Sequence, residues 1–95
     1  YVFLFLEAMT QAGVDMGLGA HQSYQLAVAT FQGASELAAR SSEPAEVLRQ
    51  RVTSKGGTTH AAVTHMQQAG VPEQFIAAMR AAEQRAKELA REFGN

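Results

Sequence analysis

The residues best suited to chemistry lie together in Val52-Thr53-Ser54-Lys55-Gly56-Gly57-Thr58-Thr59-His60-Ala61. Nowhere else do polar residues and glycines crowd between two helical patterns. Gly56 and Gly57 lack a Cβ, so their backbone can take conformations closed to other residues and can approach a ligand closely. Thr58 and Thr59 open an apolar-periodic run, and the first N–H groups of a helix have no partner within it. A glycine turn feeding a helix start therefore suits an anion, because the free N–H groups and the helix dipole point the same way. A carboxylate or a phosphate fits that description. The same residues also fit an ordinary helix start, with Ser54 or Thr58 as N-cap and the glycines forming the turn.

Other chemistry is poorly supported. His60 and His65 are five residues apart, about 500° around a helix, and so do not share a face as metal ligands four apart would. His21 lies two predicted helices away, with no cysteine or carboxylate cluster to join it. No metal site is expected. Gly17-Leu18-Gly19 follows a helical pattern rather than a strand and lacks the third glycine of a dinucleotide fingerprint. No serine stands in a nucleophile-elbow context. The four methionines sit at helical core spacings and read as packing residues.

The elements that must position the loop are all helical. Residues 1–16 read as a first helix, with Gly17 as the left-handed residue after it and Leu18 as its apolar contact. Its first two turns, with Val2, Phe3, Leu4, Phe5 and Leu6, are apolar nearly all round, which predicts burial on several sides. A second helix is expected from Ala20 or His21 to Arg40. Tyr24, Val28, Phe31 and Leu37 give it bulk, and Gly33 suggests a close crossing with another helix at a cost of roughly 1 kcal/mol against alanine. Pro44 suits the first position of a short third helix ending near Val52. The fourth runs from Thr58 to Gly70, with Ala62, Val63 and Met66 on its apolar side. Pro72 opens the fifth, which reaches about Phe93. There Phe75, Met79, Ala82, Ala86, Leu89 and Phe93 follow at intervals of four and three, a period of 3.5 that marks lengthwise pairing with another helix. Arg80, Glu83, Arg85, Lys87, Glu88 and Arg91 take the solvated faces. No strand pattern appears, and the expected fold class is all-α.

Composition narrows the function. The chain has 95 residues, enough for one domain with a modest core. Hydrophobic residues make up 46% and charged residues 18%, the balance of a globular domain rather than a disordered one. A net charge of −1 leaves no electrostatic footprint for nucleic acid. The absence of cysteine removes disulfide and thiolate chemistry and is compatible with a cytoplasmic setting. The apolar run at residues 2–6 is too short to span a bilayer, so no membrane partner is expected. Tyr1 opens directly inside that run, and the chain reads as part of something longer.

Taken with its neighbours, the loop acquires a family. Val52-Thr53-Ser54, followed by Gly56-Gly57-Thr58-Thr59, stands about forty residues after Glu7-Ala8-Met9 and Gly13-Val14-Asp15-Met16-Gly17-Leu18. This arrangement resembles the C-terminal domain of pyrroline-5-carboxylate reductase, over nearly the whole chain. The Ser-x-Gly-Gly-x-Thr element at residues 54–59 is the most specific part. The family usually has proline where this chain has Lys55, and lysine adds a cation beside the anion site.

The resemblance implies a bundle of about five helices over residues 1–95, interleaved with a second subunit in a homodimer. It implies reduction of the C=N bond of 1-pyrroline-5-carboxylate to give proline, with hydride from NADPH or NADH. That cofactor would be held by an N-terminal nucleotide-binding domain outside this chain, so the chain alone should not catalyse. Ser54, Gly56, Gly57, Thr58 and Thr59 match the loop and helix start that hold the substrate carboxylate. Thr59 matches the threonine whose hydroxyl lies near the ring nitrogen, and it is the catalytic candidate. The rival reading is a stand-alone helical interaction module, because helical domains host many unrelated functions.

Overall fold

The computed structural model describes residues 1–94 and consists of five helices. These are α1 (Val2–Asp15), α2 (Ala20–Arg40), α3 (Ala45–Arg51), α4 (Thr58–Gln68) and α5 (Val71–Phe93). No strand occurs among the described residues. The fold class is all-α, as the apolar spacing predicts. The chain divides into two compact units, Tyr1–Arg49 and Gln50–Asn95, with α3 running across the division.

The first unit is built on a helical hairpin. α1 ends because Gly17 takes a φ of +107°, which an L side chain rarely adopts. Two bonds then close the end: the Leu18 N–H donates to the Gly13 carbonyl at 3.0 Å, and the Gly17 N–H donates to the Val14 carbonyl at 3.0 Å. That is the paired Schellman arrangement, with Leu18 as its apolar member. Gly19 caps α2, and the short connection turns α2 back against α1.

Close approach in the hairpin depends on a glycine–serine pair. A Cβ on Gly13 would overlap the Ser23 hydroxyl, and that hydroxyl donates to the Thr10 carbonyl at 2.8 Å. Among the described residues the buried ones are Leu6, Ser23 and Ala27. Ser23 at 3% exposure is tolerable because its polar atom has found a partner on the facing helix. At Gly33 a Cβ would meet nothing within 4 Å among the described residues, so no close crossing within them accounts for it.

In the second unit, Gly70 serves two helices at once. Its φ of +78° lets its N–H donate to the Gln67 carbonyl at 3.2 Å, closing α4, while its own carbonyl accepts from the Gln74 N–H at 2.9 Å, opening α5. Val71 is the first residue of α5 and Pro72 the second, where a missing N–H costs no helical bond. Pro44, by contrast, stands just before α3 rather than at its expected first position, its carbonyl accepting from the Val47 and Leu48 N–H groups at 3.0 and 3.2 Å. Val63 and Met79 are half-buried in this unit.

Much apolar surface is left uncovered. Tyr1, Val2, Phe3, Leu4 and Phe5 are all exposed, Phe3 at 78%. So are Phe75, Leu89 and Phe93 on the period-3.5 seam of α5. Among the described residues no helix is long and apolar enough to cross a membrane.

Candidate functional site

The segment joining α3 to α4 begins with a hydrogen-bonded turn. The Gly57 N–H donates to the Ser54 carbonyl at 2.9 Å, which makes residues 54–57 a four-residue turn. Lys55 and Gly56 are its central pair. Gly56 has a φ of +77°, and among the described residues only glycines have a positive φ. A positive φ at the third position alone is the signature of a type II turn, in which the second position favours proline. Lys55 occupies that second position.

Gly57 is the N-cap of α4, with φ −87° and ψ 178°. This corrects the expectation that Ser54 or Thr58 caps the helix, since no side chain makes a capping bond there. It also separates the roles of the two glycines. Gly56 supplies the left-handed conformation, whereas Gly57 is extended backbone that any residue can adopt. What Gly57 lacks is room. A Cβ there would lie 2.6 Å from the Ser54 hydroxyl oxygen and 3.2 Å from the Ser54 carbonyl oxygen. Ser54 is folded over Gly57, and the smallest residue makes that possible.

The helix start that results is open. The first helical bond runs from the Ala61 N–H to the Gly57 carbonyl at 3.1 Å, so the N–H groups of Thr58, Thr59 and His60 precede the helical ladder. No acidic residue lies in the first turn to offset the positive end of the helix dipole. Ser54, Lys55, Thr58 and Thr59 are exposed, and Gly57 is half-buried. Three backbone donors thus open an uncompensated helix start, and Ser54, Lys55, Thr58 and Thr59 lie in its first turn or the turn just before it. This arrangement can hold a carboxylate, with the hydroxyls adding donors of adjustable direction.

Ser54, Gly56, Gly57, Thr58 and Thr59 are thereby all placed in one turn and the first turn of one helix. His60, considered from sequence only as a metal ligand, contributes the third free N–H. The signal was available, since any third residue of a helix has this property. Among the described residues no three His, Asp or Glu side chains are grouped to hold a metal ion.

An all-α domain with an open helix start and an uncovered apolar surface is the class these features define. A family model described as pyrroline-5-carboxylate reductase dimerisation matches residues 1–89. The chain belongs to the pyrroline-5-carboxylate reductase family, in the part that this dimerisation model describes. It is 44% identical over 95 residues to the pyrroline-5-carboxylate reductase of Pseudomonas aeruginosa, an alignment covering 99% of this chain and 34% of that protein. Against the enzyme of Corynebacterium melassecola it is 37% identical over 89 residues, covering 94% of this chain and 33% of that protein. A crystal structure of Plasmodium falciparum pyrroline carboxylate reductase with NADP bound superposes with a TM-score of 0.89 at 30% identity, covering 93% of this chain and 34% of that one. The chain therefore spans about a third of the length of the curated relatives it matches.

Proposed function

We propose that this chain is the C-terminal dimerisation and substrate-binding domain of a pyrroline-5-carboxylate reductase. The enzyme reduces 1-pyrroline-5-carboxylate to L-proline with NADPH or NADH, the last step of proline biosynthesis, in the cytoplasm. The observation that carries this reading is the open start of α4, which no side chain caps, at the Ser-x-Gly-Gly-x-Thr element of residues 54–59.

The substrate carboxylate would rest on the N–H groups of Thr58, Thr59 and His60, with the hydroxyls of Ser54 and Thr58 as further donors. By the family resemblance, Thr59 matches the threonine whose hydroxyl lies near the ring nitrogen. Reduction delivers hydride to the imine carbon and a proton to the neighbouring nitrogen, leaving a secondary amine. The Thr59 hydroxyl would orient that nitrogen or relay the proton to it. The residues described here do not fit the cofactor. Gly17-Leu18-Gly19 joins two helices and offers no strand–turn–helix cradle for a pyrophosphate. We assign the nucleotide to an N-terminal domain outside this chain, and the chain alone is expected to be inactive.

Two observations support dimerisation: the matching family model is described as a dimerisation domain, and large apolar side chains on α1 and α5 are exposed within their own units. The apolar face of α1 and the seam of α5 are the surfaces we assign to a second copy, whose helices interleave with these.

The test is calorimetric titration of the full-length enzyme with L-proline, beside an assay of pyrroline-5-carboxylate-dependent NADPH oxidation. Binding and turnover are expected. An interaction module has no reason to recognise a small cyclic amino acid, and absence of both signals overturns the proposal.

A further inference from the structure

We draw no further inference here: the strongest candidate, the open groove between α1 and α2 lined by Phe3, Leu6, Val14 and Tyr24, belongs to the pairing surface already assigned to a second copy, and Lys55 and His60 beside the α4 helix start have no second feature that points to a further ligand.

Discussion

Gly56 and Gly57 fail differently when substituted. A β-branched residue at position 56 must adopt a φ near +77°, a strain on the order of 1–3 kcal/mol. At position 57 the backbone is unstrained, and the obstacle is the Ser54 hydroxyl 2.6 Å from the new Cβ. Gly57→Val should therefore displace Ser54 and abolish proline binding in the full-length enzyme, without affecting the remote α5 seam. Normal affinity in that variant would reduce the glycines to turn formers. Lys55→Pro is expected to be tolerated, since the second position of this turn favours proline. A stiffer unfolded chain should then raise stability by about 0.4–1 kcal/mol, read as an increase in Tm. Thr59→Val keeps the shape and removes the hydroxyl. If that hydroxyl serves the ring nitrogen in the transition state, kcat should fall roughly tenfold to a thousandfold. An unchanged kcat with a raised KM would assign Thr59 to ground-state binding alone.

The α1–α2 hairpin depends on one contact that helical propensity would misjudge. Replacing a mid-helix glycine by alanine ordinarily stabilises a helix by about 1 kcal/mol. At Gly13 the sign should reverse, because the new methyl group would overlap the Ser23 hydroxyl and break its bond to the Thr10 carbonyl. Chemical denaturation of Gly13→Ala should show a lower midpoint, and a stabilised variant would mean the helices separate at no cost. Gly33→Ala makes the opposite case inside the chain, since nothing lies within 4 Å of its Cβ position. On α5, Ala86→Arg places a charge in the apolar seam. If that seam is desolvated against a second copy, the variant should dissociate at concentrations where the parent stays paired.

Among the described residues only three are buried, few to offset the conformational entropy of ordering a chain of this length, and the proposed dimer would supply the missing cover. Light scattering at micromolar concentration should report twice the 10.2 kDa chain mass. A clean monomer with cooperative unfolding would leave the exposed residues of α1 and α5 without explanation and would end the interleaved-dimer proposal.

Helix positions were legible because their causes are local. A left-handed glycine at 17 or 70, a proline in the first turn at 72 and an apolar period act within about one turn of chain, and the same bonds form wherever the helix is placed. The family element at residues 54–59 was legible for the same reason, being one turn and one helix start. Its inner geometry was not. Glycine permits a positive φ without requiring it, so only the folded backbone shows that Gly56 carries it and that Gly57 caps the helix. The contact of Gly13 with Ser23 joins residues ten apart on two helices, and the emptiness around Gly33 is an absence of neighbours; helical periodicity encodes neither. An apolar stripe records that a face avoids water, because that is a property of its own side chains. What covers the face depends on the rest of the fold, and here the fold leaves residues 2–5 bare.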